Sequence, residues 1–138
     1  MKLTQTVDRT LTPKDGTTQP GVITEFMVDN RTTAIEHGLG TYVTILPGGK
    51  SQLRRHCNAE LGWYLMKGHI RHIIREADGT VTEVECGEGA IGYIAPGDAH
   101  QEINLSITER AEIVMIYTNP ENKRCNCFED TGTEVVEP

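Results

Sequence analysis

The chain has 138 residues, 37% of them hydrophobic and 24% charged, which fits one globular domain and excludes a disordered chain. Thirteen Lys and Arg against twenty Asp and Glu leave a net charge of −7, which argues against a nucleic-acid backbone or an anionic membrane as partner. No run approaches the roughly 20 apolar residues that span a bilayer, and Met1-Lys2-Leu3-Thr4-Gln5-Thr6 turns polar at once, so a cytoplasmic protein is expected.

Along the chain, the Thr-rich residues 1–20 read as an arm or an added edge strand. Turn signals then recur at Pro20-Gly21, Pro47-Gly48-Gly49, Asp78-Gly79, Gly87-Glu88-Gly89, Pro96-Gly97-Asp98 and Asn119-Pro120. Between them lie runs rich in Val, Ile, Thr and Tyr at 41–46, 63–66, 70–74, 80–84, 91–94 and 111–117. Each has strand length and none has a helical period. Asp78-Gly79 is expected as a hairpin turn. The four cysteines, Cys57, Cys86, Cys125 and Cys127, are expected as free thiols. Cys125-Asn126-Cys127 reads as an exposed turn, and residues 129–138 as a polar tail. The chain is thus predicted to be one all-β domain over 1–138, a sandwich or barrel.

Several side chains are candidates for chemistry. In the run 70–74, Ile70, His72 and Ile74 share a face, predicted to be the inner one, while His69 and Arg71 face outward. His37 reads as loop. Tyr42, Trp63, Tyr64, Met66 and Tyr93 are expected in the barrel core, with Tyr64, Met66 and Tyr93 lining a pocket. Gln52 and Gln101 are candidates for polar contacts there. Pro96-Gly97-Asp98-Ala99-His100 sets a histidine at the start of a strand just after a tight turn, where its imidazole can point into a barrel mouth.

The spacing around that histidine resembles the second motif of the cupin superfamily. Gly89, Pro96, Gly97, His100 and Asn104 stand at the motif's intervals, and Ala95 replaces one proline. The first cupin motif is matched by Gly48, His56, Glu60 and Gly68, with two departures. Arg54 stands where the first histidine belongs, and one extra residue separates Glu60 from Gly68. The extra residue calls for a β-bulge, for which Gly62 is a candidate, or for Cys57 or Asn58 as a substitute ligand.

The resemblance covers about residues 40–118 and implies a jelly-roll barrel with a pocket between two sheets. Carried over, it makes His56, Glu60 and His100 the ligands of one divalent ion, Fe, Mn, Ni, Co or Zn. Open positions on the ion would be left for substrate. Arg54 cannot ligate, because its guanidinium stays protonated; it is expected to pair with Glu60 or with a substrate anion, or else to swing outward to solvent. His72 is a candidate fourth ligand or acid/base group. The resemblance further implies a homodimer and a small metal-dependent enzyme acting on a small polar or carboxylate-bearing molecule, as an oxygenase, lyase, decarboxylase or isomerase. Two alternatives stand beside it: a non-catalytic binding module, and a metal-free sugar epimerase or isomerase using His72 with Tyr64 or Tyr93.

Overall fold

Alternation of apolar and polar residues decides which side of each strand faces inward. A computed structural model describes residues 7–9, 14–15, 20–29, 32–56, 59–118, 124–128 and 134–137, with only strand placement described for 14–15, 124–128 and 134–137. Along β1 (Lys14–Asp15), β2 (Val22–Val28), β3 (Gly38–Ile45), β5 (Leu61–Lys67), β8 (Ile91–Ile94) and β10 (Ala111–Thr118) runs a first sheet in the order β1-β2-β3-β10-β5-β8. A second sheet takes β4 (Arg54–Arg55), β6 (His69–Arg75), β7 (Val81–Gly87), β9 (Ala99–Asn104), β11 (Arg124–Phe128) and β12 (Glu134–Glu137) in the order β12-β11-β4-β9-β6-β7. The described pairings are antiparallel. None of the described elements is an α-helix, and no helix among the described residues is long and apolar enough to cross a membrane. The all-β fold read from the turn signals is the fold observed.

The two sheets make unequal contributions to the interior. The first supplies most of the apolar core: Val43, Ile45, Leu61, Trp63, Leu65, Ile113 and Met115 are buried there. The second adds Ile70, but beside it buries Arg54, His72, His100, Glu102 and Asn104. An apolar wall thus faces a polar one. This asymmetry builds the site, because polar groups lined up on one wall must satisfy one another out of reach of water.

Several expectations are corrected. In β5, Leu61, Trp63 and Leu65 are buried, so Tyr64 and Met66 fall on the outer face, 44% and 46% exposed. Tyr42 also leaves the core: its ring lies under the Arg9 guanidinium and its hydroxyl donates to Glu112. The extra residue of the first motif is absorbed at Met66 and not at Gly62. On β10, Glu112 pairs with Lys67 and the next residue, Ile113, with Leu65, whereas Gly62 keeps regular partners on both sides. Gly68 follows with φ 101, and a Cβ there would meet the Ala111 backbone at 2.9 Å, so this end of the motif requires glycine. Cys125-Asn126-Cys127 is not a turn but the middle of β11, and residues 134–137 of the expected tail form β12. The β-branched pair Val135-Val136 pairs there with Asn126 and Cys125. Cys57 and Asn58 lie outside the described residues.

Candidate functional site

Strand register brings the second sheet's polar residues together. Arg54 on β4 pairs with His100 on β9, and His72 on β6 pairs with Glu102 on β9. His100, Glu102 and Asn104 alternate along β9 and all point inward. His56 lies two residues beyond Arg54, on the same side. The Pro96-Gly97 turn closes on it through Gly97 N–H donating to the His56 carbonyl at 3.1 Å, which ties the two motifs together. Asn104, the last residue of the second motif, is structural. Its Nδ2 donates to the carbonyls of Ile45, Leu46 and Glu109, and its Oδ1 accepts from Ser106 N–H.

Glu102 is the centre of the network. Arg54 reaches its two carboxylate oxygens at 3.1 and 3.4 Å, and Ser51 Oγ donates to it at 2.9 Å. Ser51 Oγ in turn accepts from Arg54 Nη1 and from Glu102 N–H, both at 2.9 Å. His100 Nδ1 lies 3.1 Å from Glu102 Oε1. Because a carboxylate only accepts, His100 carries its proton on Nδ1 and presents the lone pair of Nε2. That Nε2 faces His56 Nε2 at 3.2 Å. The Tyr117 ring packs edge-on against His56, at 5.2 Å between ring centroids.

Burial sets the charge states. Burial itself, followed by the Arg54 charge, lowers the His100 pKa to about 4, so the ring is neutral at pH 7. Burial would raise the Glu102 carboxyl, but Arg54 and then His100 hold it well below its ordinary range. Burial likewise opposes the Arg54 charge, and Glu102 more than offsets it. Burial also lowers His72. The interior therefore holds one compensated ion pair beside neutral imidazoles.

His72 stands 6.0 Å from His100 and 4.8 Å from Trp63 between ring centroids, edge-on to both. Its Nε2 is buried and makes no hydrogen bond. Among the described residues, His72, His100 and Glu102 form a group whose potential ligand atoms all lie within 4.8 Å of one another. Beside His72 is a cavity of about 230 Å³, lined by Trp63, Ile74, Val84, Cys86 and Ile91 among others.

The other expected site residues lie elsewhere. Glu60, just before β5, is exposed and accepts a hydrogen bond from the Tyr93 hydroxyl, and Tyr93 pairs across the sheet with Gly62. Tyr93 is 57% exposed and stands at the cavity rim. Gln52 borders a separate hollow with Lys50 and Gln101. Tyr64 lies across β5 from Trp63, so it does not meet His72. Arg54 pairs not with Glu60 but with Glu102. The sequence reading passed over Glu102 and Ser51, and placed Trp63 in the core, where it is found, without a part in the site. The two-residue alternation from His100 to Asn104 already placed Glu102 on the inner face.

No family model and no curated protein matches the chain. Among solved structures, it is similar to the oxalate decarboxylase of Bacillus subtilis determined at pH 4.6, with TM-score 0.71 and 21% identity over 87% of this chain and 30% of that one. It is similar also to the formate complex of Lactobacillus farciminis oxalate decarboxylase, with TM-score 0.70 and 18% identity over 87% of this chain and 34% of that one. The chain has the cupin fold. It spans about a third of the length of these neighbours, and at this identity the likeness is one of fold. The Bacillus subtilis enzyme is described with Mn(II) centres. On this cupin frame, the two motifs read from the sequence meet at His56 and His100.

Proposed function

We propose that this cupin is a small metal-dependent enzyme, and that His56 and His100 hold one divalent ion through their facing Nε2 atoms. The 3.2 Å between those atoms carries the reading. Two imidazoles bound to one ion with metal–nitrogen bonds near 2.0–2.1 Å stand about 3.0–3.4 Å apart. Glu102 on the far nitrogen of His100 fixes the tautomer and supports the ligand's basicity, as carboxylates behind metal-bound histidines do. The unpartnered His72 Nε2 adds a third donor in the same interior. Arg54 does not oppose a cation here, since Glu102 compensates its charge.

A bound ion would act as a Lewis acid on a carboxylate or carbonyl oxygen of the substrate. The chain's own residues do the rest. Glu102 holds the His100 proton on Nδ1, Arg54 and Ser51 hold Glu102, and the first sheet's apolar wall keeps water out. Manganese leads as the metal and a small carboxylate-bearing molecule as substrate, because fold neighbours are described with Mn(II) and formate. Decarboxylation is the favoured reaction on the same ground. A cytoplasmic homodimer goes with this reading; the exposed Tyr64, Ile91, Tyr93 and Ile116 are apolar surface for a second copy to cover. A non-catalytic binding module is the second reading, favoured by the Arg54–Glu102 pair standing where a ligand belongs. Elemental analysis of untagged protein tests the first. About one divalent ion per chain is expected, and a metal-free protein that takes up no Mn, Fe, Ni, Co or Zn on titration would sink it.

A further inference from the structure

We infer that the cavity beside His72 takes the apolar body of a small ligand carrying one oxygen-bearing head, and that it rejects small dianions. This rests on the reading of a substrate pocket at the histidine cluster and narrows its substrate class. Three observations carry it.

The first is the lining. Ile74, Val84, Cys86, Ala90 and Ile91 surround the space, and no Lys or Arg borders it. The nearest buried guanidinium, Arg54, already has both prongs on Glu102. A dicarboxylate placed here would keep at least one carboxylate uncompensated among aliphatic groups, a large desolvation penalty.

The second is the pair of buried polar atoms without partners in that wall. His72 is 3% exposed and Trp63 7%, and both His72 Nε2 and Trp63 Nε1 lack hydrogen bonds. Buried polar groups are rarely left so. An indole N–H only donates, whereas a neutral imidazole nitrogen either donates or accepts. A hydroxyl or carboxylate oxygen is a partner that suits either.

The third is size. A cavity of about 150 Å³ accommodates benzene, so about 230 Å³ admits a body of four to six carbons. The class is therefore a branched or cyclic monoacid, for whose body the matching alcohol is an uncharged probe, with its oxygen toward the histidines.

Trp63 is the single tryptophan of the chain and lines the cavity, so its fluorescence reports entry directly. The probes are 3-methylbutan-1-ol and oxalate, titrated into protein as purified and again after dialysis against EDTA. The alcohol is expected to change Trp63 emission saturably in both preparations, more weakly where bound metal occupies His72 Nε2, while oxalate at equal concentration does not. Val84→Phe, at an exposed edge-strand position that tolerates bulk, is expected to weaken the alcohol at least fivefold by occluding the cavity. His72→Gln, checked for folding by circular dichroism, is expected to weaken it severalfold by replacing the imidazole head partner. Emission that responds to oxalate at lower concentration than to the alcohol overturns the inference. So does an alcohol response that never saturates or is untouched by Val84→Phe. If the protein proves metal-free yet binds the alcohol, the metal-dependent reading fails and this one stands. If metal is bound and the alcohol is ignored, the reverse holds.

Discussion

Arg54 and Glu102, 3% and 2% exposed, form a two-pronged ion pair at 3.1 and 3.4 Å in the middle of the barrel. Each charge is tolerable there only because of the other. Removing one partner from such a pair costs about 3–5 kcal/mol, whereas replacing both often costs far less. Glu102→Gln keeps the shape and leaves the guanidinium unpaired, so it is expected to lower unfolding free energy by about that amount. Adding Arg54→Met is expected to restore much of the loss. Urea denaturation measures both; a single variant within about 1 kcal/mol of the parent would show that the pair is not what stabilises the site.

Acid should loosen this interior. The His100 pKa is about 4 in the folded chain and near 6.5 when unfolded. Between those values the unfolded state binds a proton that the folded state refuses, so stability is complete above pH 6.5 and falls as pH drops toward 4. The slope approaches about 1.4 kcal/mol per pH unit for this one group. His72, also lowered, adds in the same direction. Glu102, held below its ordinary range, adds further loss only under about pH 4.5. Melting temperature of EDTA-dialysed protein is expected to be level from pH 8 to 7 and clearly lower at pH 5, with a shallower fall in His100→Asn. A level profile down to pH 5 contradicts the assignment.

The sequence carried the fold through its turns: Pro96-Gly97, Asp78-Gly79 and Gly87-Glu88-Gly89 separate strands close to where the runs of Val and Ile placed them. It carried His72 as an inner residue through alternation, since spacing by two on a strand is a statement about faces, and His56 and His100 through their places in the two motifs. What it did not carry was the phase of β5, because Trp63, Tyr64 and Met66 are all plausible core residues by type, and only packing against β10 chooses Trp63. The bulge at Met66 was invisible for a related cause. An inserted residue shows up as spacing, whereas its position depends on the strand opposite. Arg54's partner required β9 to be laid beside β4, a pairing of residues 46 apart in the register Arg54–His100 that no local pattern encodes.

Gly92 lies against Trp63. A Cβ added there would stand 2.4–2.5 Å from Cε2, Cζ2 and Nε1 of the indole, whereas one at Gly62 would meet only the Gly92 carbonyl at 3.9 Å. Trp63 is nearly buried and packs on His72, so it has little room to retreat. Gly92→Ala is expected to cost about 1–3 kcal/mol through overpacking and to shift Trp63 emission. Gly62→Ala is the control and should do neither. Equal melting temperatures for the two variants would show that the indole moves away freely.

Metal retention distinguishes the ligand set expected from the motifs, His56, Glu60 and His100, from the one the interior favours, His56 and His100 with His72. Glu60 is on the surface with Tyr93, so Glu60→Gln is expected to keep stoichiometric metal. His56→Ala and His100→Ala each remove half of the facing nitrogen pair and are expected to lose it. His100 is fully buried and bonded to Glu102, so its alanine variant also loses stability, by about 2–3 kcal/mol for the lost hydrogen bond and the space left behind. His56→Ala leaves the Arg54–Glu102–His100 chain intact and is the cleaner variant. His72→Gln should weaken retention about tenfold or more if its Nε2 ligates. Metal content by mass spectrometry, read beside circular dichroism to confirm folding, gives each answer. Loss of metal in Glu60→Gln with retention in His72→Gln would restore the motif's own ligand set and require Glu60 to leave Tyr93 and turn inward when the ion binds.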